Sequence, residues 1–94
     1  MRYQICGKQI DIGDALQTHV KQELDVSVQK YAERPTDAQV VFSKSGHEFV
    51  CEATVHLSTG LTASAKAHNP EIYAAFDSCA EKMEKQLRRY TRRL

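Results

Sequence analysis

Hydrophobic and polar positions follow two different periods along this chain, and the switches between them mark six elements. From Arg2 to Cys6 the period is two, with Tyr3 and Ile5 set against Gln4 and Cys6; this is a short strand, and Gly7 and Lys8 lead away from it. From Gly13–Asp14 the period lengthens, and Leu16, Val20, Leu24, Val28 and Tyr31 form one side of a helix. Gly13 is an acceptable N-cap, and Asp14 places negative charge at the positive end of the helix dipole. Pro35 disfavours helical geometry at Arg34 and stops the helix before it.

Period two then returns three times. Val40 and Phe42 share one face of a strand from Ala38 to Lys44. Phe49, Cys51, Ala53, Val55 and Leu57 alternate with Val50, Glu52, Thr54 and His56 in the next. In a third, from Leu61 to Ala67, Leu61, Ala63, Ala65 and Ala67 face inward, while Thr62, Ser64, Lys66 and His68 face out. Ser45–Gly46–His47 and Ser58–Thr59–Gly60 have the composition of hairpin turns. Strict alternation means one buried and one wet face, which favours an antiparallel sheet. The alanines of the third strand predict close approach of a helix.

The last helix is predicted from Pro70 to Leu94, with Asn69 as N-cap and Pro70 at the first helical position. Ile72, Phe76, Cys79, Met83, Leu87, Tyr90 and Leu94 make its apolar stripe. Lys82, Lys85, Arg88, Arg89, Arg92 and Arg93 gather on the opposite side, with Glu81 and Glu84 the only acids among them. The order β-α-β-β-β-α, with one apolar face per element, gives an α+β domain: two parallel helices packed side by side on one face of a four-stranded sheet.

Composition narrows the class. Ninety-four residues suffice for one core and not two. No apolar run approaches the ~20 residues of a membrane span, and MRYQICGKQIDIGD lacks the apolar centre of a secretory signal. Cys6, Cys51 and Cys79, widely spaced and without a CxxC pair, argue against a disulfide framework and for a reducing, cytoplasmic setting. All three read as small core hydrophobes. The net charge of +1 does not announce a polyanion binder; its distribution does, because the basic end can act alone.

Among candidate chemistries, the basic face of the last helix stands first. Surface charge that serves solubility is usually mixed in sign, whereas a continuous stripe of forked guanidinium groups and lysines suits phosphates. His19, His47, His56 and His68 do not converge with one another or with Cys51, so no metal site is expected. Cys79 falls on an apolar stripe and should be inert. Asp11, Asp14, Glu23 and Asp25 fit a helix start and a wet helix face, and no GxSxG elbow or Gly-rich phosphate loop is present. The expectation is a protein without catalysis or cofactor. Tyr73 and Asp77, at i and i+4 on the flank of the stripe, predict a mutual hydrogen bond or a helix–helix contact, with ligand contact as the alternative.

GKQIDIGDALQTHVKQEL, the element order, and above all NPEIYAAFDSCAEKMEKQLRRYTRRL resemble the family of ribosome hibernation-promoting factors and ribosome-associated inhibitor A, also described as the sigma-54 modulation protein family. The most specific stretch is Tyr73 to Asp77, followed by Lys82 to Leu87 and a basic tail. The resemblance spans essentially the whole chain. It implies a ribosome-binding domain over residues 1–94, as a short form or as the N-terminal domain of a long form. The implied partner is the small (30S) ribosomal subunit. The domain would sit in the decoding channel, against 16S rRNA, where it excludes messenger RNA and A- and P-site transfer RNA and stores 70S ribosomes or ribosome dimers. On the same grounds Lys82, Lys85, Arg88, Arg89, Arg92 and Arg93 are the expected rRNA-binding residues, with Lys21 and Lys30 of the first helix behind them. No membrane and no small-molecule substrate is implied. The competing readings are a general double-stranded RNA-binding module, whose last helix would need basic residues at its start, and a protein–protein adaptor such as a sigma-factor modulator.

Overall fold

The computed structural model describes residues 2–31, 35–57 and 60–92. Six elements follow the expected order: β1 (Arg2–Gly7), α1 (Asp14–Tyr31), β2 (Pro35–Ser45), β3 (Glu48–Leu57), β4 (Thr62–Asn69) and α2 (Ile72–Arg92). The sheet order is β1-β2-β3-β4.

Pairing corrects one expectation. β2, β3 and β4 are antiparallel neighbours, but β1 runs parallel to β2, with Tyr3 opposite Ala38 and Ile5 opposite Val40. The sheet is therefore mixed. The reason lies in the connection: a strand joined to its neighbour through a helix must return in the same direction, whereas a tight turn reverses it. The same geometry makes α1 and α2 parallel.

The tight exit from β1 rests on Gly7. A Cβ there would lie 2.4 Å from the Ile10 carbonyl oxygen, so only glycine lets the chain fold back this closely. The Lys8 N–H, donating to the Phe42 carbonyl at 2.8 Å, carries the parallel ladder one step further.

α1 begins as expected: the Gln17 N–H donates to the Gly13 carbonyl at 3.2 Å. α2 begins two residues later than expected. Asn69 is the last residue of β4, and its Oδ1 accepts from the Glu71 N–H at 2.9 Å. The first helical bond runs from the Ala75 N–H to the Glu71 carbonyl. Asn69 thus bridges Pro70 in an Asx turn and hands the cap position to Glu71.

Both helices cover one face of the sheet. Leu16, Val20, Leu24 and Val28 of α1 meet Phe76, Cys79, Met83 and Leu87 of α2 over Val40, Phe42, Cys51, Ala53 and Val55, all buried. Phe76 is at the centre, 6.4 Å from Phe42 between ring centres. Ala63, Ala65 and Ala67 are buried beneath α2, and the Cys79 thiol lies 3.4 Å from the Ala65 carbonyl, the close approach the alanines predict. The side chains of Tyr31 and Tyr90, and Leu94 altogether, are outside the described residues.

Two inward assignments fail. Leu61 is 47% exposed. It precedes β4, and its carbonyl accepts from the Leu57 N–H at 2.9 Å, so its backbone closes the hairpin while its side chain faces water. Gly60 takes a positive φ in this turn; Ser58 and Thr59 lie outside the described residues. Cys6 is also exposed, because alternation along β1 sends Tyr3 and Ile5 inward and Cys6 to the wet face.

Candidate nucleic-acid interface

The buried stripe of α2 fixes what its remaining positions face. At about 100° per residue, one flank leans over the β4 edge and the other toward α1. Lys82, Lys85, Arg88 and Arg89 are exposed, as expected. Lys82 reaches back: its Nζ donates to the Lys66 carbonyl at 3.1 Å. Lys85 lies 3.9 Å from Glu81, one helical turn earlier. Arg92 closes the helix, its side chain outside the described residues, as is Arg93 altogether.

Between Lys82 and Arg89 the helix is anchored to the sheet edge by Gln86. Its Oε1 accepts from the Ser64 N–H at 3.0 Å, and its Nε2 donates to the Ser64 carbonyl. A primary amide offers one donor and one acceptor side by side, which is what an adjoining strand would offer. An unpaired edge would otherwise be a template for another chain. The cations of α2 therefore stand on a helix held against the rim of the sheet.

The opposite flank of α2 is acidic. A groove of about 270 Å³ between the helices is lined by His19, Glu23, Ser27, Asp77, Ala80, Glu81 and Glu84. His19 Nε2 lies 3.0 Å from Asp77 Oδ1, and its ring meets Tyr73 and Phe76 edge-on at 5.3 and 5.5 Å. Tyr73 and Asp77 thus make a helix–helix contact through His19, a partner that sequence spacing could not supply. Lys30 sits 3.8 Å from Glu84 across the groove. Lys21 is exposed on α1. The Glu84 pair brings Lys30 to the α2 flank, one helical turn before Arg88.

Asp25 departs from the wet-face reading: it is half-buried and accepts a hydrogen bond from the Tyr3 hydroxyl, tying α1 to β1. The outer face of the sheet is polar. Cross-strand pairs there include Lys66–Glu52 at 3.9 Å and His68–Glu48 at 3.1 Å. A depression of about 320 Å³ at its β1 end is lined by residues of both signs, Arg2, Asp37 and His56 among them. Among its described residues this face exposes no Phe, Tyr or Trp, and its aromatic rings are the imidazoles of His56 and His68.

Cys51 and Cys79 are fully buried and share a hydrogen bond between thiols. That bond, with burial, pushes the Cys51 thiol far above its ordinary value. Among the described residues, no three His, Cys, Asp or Glu side chains are grouped to hold a metal ion, and no helix is long and apolar enough to cross a membrane.

The family model described as sigma 54 modulation protein / S30EA ribosomal protein matches residues 3–94. A ribosome hibernation promotion factor of Rhizobium meliloti is 35% identical over the whole chain, which covers 50% of that relative. A ribosome hibernation promoting factor of Azotobacter vinelandii is 33% identical over 87 residues, 93% of this chain and 79% of its own length. The chain spans about half the length of the curated relatives it matches from Rhizobium meliloti and Bradyrhizobium diazoefficiens. Two solved structures share the fold at a TM-score of 0.84. One is a ribosomal subunit interface protein from Coxiella burnetii, 25% identical, with 96% of this chain and 97% of that one covered. The other is the N-terminal domain of Thermus thermophilus Protein Y, 26% identical, with 96% and 99% covered. With one model spanning nearly every residue and the same fold recurring in both structures, the chain belongs to the sigma 54 modulation protein / S30EA ribosomal protein family.

Proposed function

We propose that this chain is a non-catalytic, cytoplasmic ribosome hibernation domain. It binds the small (30S) ribosomal subunit in the decoding channel and excludes messenger RNA and A- and P-site transfer RNA by occupying their space. Lys82, Lys85, Arg88, Arg89, Arg92 and Arg93 contact 16S rRNA phosphates, and Lys21 and Lys30 add to the field around them. The products are inactive 70S ribosomes or ribosome dimers. Residues 1–94 act as one ribosome-binding unit, as a short form or as the N-terminal part of a longer chain.

The observation that carries this reading is the exposed cationic row on α2, held rigidly at the sheet rim by Gln86 and Ser64. Because the helix backbone is already ordered against the sheet, binding a phosphate has only side-chain freedom to restrict. The double-stranded RNA module is disfavoured because α2 has no Lys or Arg before Lys82.

The test is co-sedimentation with purified bacterial small subunits at two salt concentrations, beside a variant with Lys85, Arg89 and Arg92 changed to Glu. Wild type should travel with the subunit at low salt and dissociate as salt rises; the variant should stay at the top. A wild type that stays at the top even at low salt overturns the reading. Salt-insensitive binding that survives the triple change would point to a protein partner instead.

A further inference from the structure

The two flanks of α2 differ in sign. Toward β4, Lys82 and Arg89 rise from a helix hooked to the backbone of Ser64 and Lys66, with Lys85 on the outward side between the flanks. Toward α1, Glu23, Asp77, Glu81 and Glu84 line the groove, and the ammonium of Lys30 lies against Glu84. Carboxylates are denser on the groove side, where Glu23, Asp77, Glu81 and Glu84 stand beside Lys30 and Arg88, than on the β4 side, where Glu52 is paired with Lys66. At the ~10 Å screening length of 0.1 M salt, carboxylates one helix-width away are still felt.

On the other side lies a cation that neither the helix pattern nor the family resemblance singles out. Lys66 is on β4, and its own carbonyl is the acceptor for Lys82. Its side chain is 66% exposed on the outer face of the sheet, next to the rim. It is paired with Glu52 at 3.9 Å, and that carboxylate is itself exposed. Exposed pairs of this kind contribute little and yield readily to a stronger partner such as a phosphate.

We infer that the RNA backbone bound along α2 crosses the β4 rim and is taken by Lys66 together with Lys82, Lys85 and Arg89, outside the groove between the helices. This rests on the RNA-binding reading above. It extends the footprint beyond the helix contacts: the cationic surface wraps from the helix layer around the edge strand onto the sheet.

The probe is the purified small subunit, titrated with dye-labelled full chain from 0.05 to 0.3 M salt. Lys66→Glu should weaken binding about tenfold at 0.1 M salt, and the slope of log affinity against log salt should fall by about one. Lys8→Glu, the same change of charge beside the opposite sheet edge, should stay within about twofold of wild type. Lys66→Gln removes the cation without setting a second carboxylate against Glu52, and should show the same loss of slope. Lys66 variants that behave like Lys8→Glu, while the Lys85/Arg89/Arg92 triple variant abolishes binding, would overturn this inference and leave the RNA-binding reading standing. Loss of binding to subunits by wild type itself would remove both.

Discussion

Gln86 gives Ser64 a donor and an acceptor at once, so a side chain of α2 completes the hydrogen bonding of the edge strand β4. Both partners are partly solvated, and the pair of bonds contributes about 1 kcal/mol on the usual scale for such contacts. Gln86→Ala should lower the unfolding free energy measured in urea by that amount. It should also open the β4 rim to other chains, seen as concentration-dependent association in sedimentation velocity. A variant that unfolds and sediments like wild type would show that the hook carries neither role.

Phe76 contributes the largest apolar side chain of α2 to the core, buried against Phe42 and under the His19 ring. Truncation to Ala should cost roughly 3–5 kcal/mol. Total stability of a small domain is about 5–15 kcal/mol, so the variant should be largely unfolded at 37 °C by circular dichroism. Retention of a wild-type melting temperature would mean that the helix packs on some other face.

The Gly7 prediction is steric. An added methyl would press on the Ile10 carbonyl oxygen at 2.4 Å, and a backbone atom cannot swing aside. Gly7→Ala should destabilise by about 1–3 kcal/mol in chemical unfolding, the range for forced overpacking. An unchanged midpoint would show that the turn relaxes freely.

The buried thiols predict an alkaline limit. Hydrogen bonding to Cys79 and burial hold Cys51 protonated in the folded state, while the unfolded thiol ionises near its ordinary value of 9.0. Below that value Cys51 is protonated in both states and contributes nothing to the pH dependence. Above it the unfolded chain has lost a Cys51 proton that the native state retains, so the Cys51 contribution to stability falls as pH rises, by up to about 1.4 kcal/mol per unit. Cys51→Ala should flatten this part of the profile relative to wild type. Identical profiles above pH 9 would contradict the assignment. In the native protein only Cys6 should react promptly with a thiol reagent, since Cys51 and Cys79 have no exposed surface.

What the sequence discloses depends on how local the cause is. The stripe from Phe76 to Leu87 and the alternation from Cys51 to Val55 are set by helix and strand periods, and their burial follows. Even the approach of α2 to β4 could be read, because Ala63, Ala65 and Ala67 leave room for nothing larger. The parallel pairing of β1 follows only from the crossover, since alternation is the same in either direction. Asn69 and Pro70 have the composition of a cap, but β4 runs through Asn69 and moves the helix start. Least legible is the groove. Glu23 and Glu84 are ordinary acids on separate helices, and only tertiary packing sets them on one cleft with Asp77 and Lys30. A wheel drawn for α2 alone finds the cations and misses the sign of the ground beside them.

Parallel helices leave a further mark. The peptide dipoles of α1 and α2 point the same way and add, where an antiparallel pair would cancel. The positive ends begin near Asp14 and Glu71 and the negative ends near Lys30 and Arg92, so side-chain charge opposes the dipole at each end. In a body 41 Å long and about half as wide, a nearly neutral chain becomes a macroscopic compass needle of charge. If it meets a polyanion as proposed, such a separation of charge favours approach with the arginine-rich end forward.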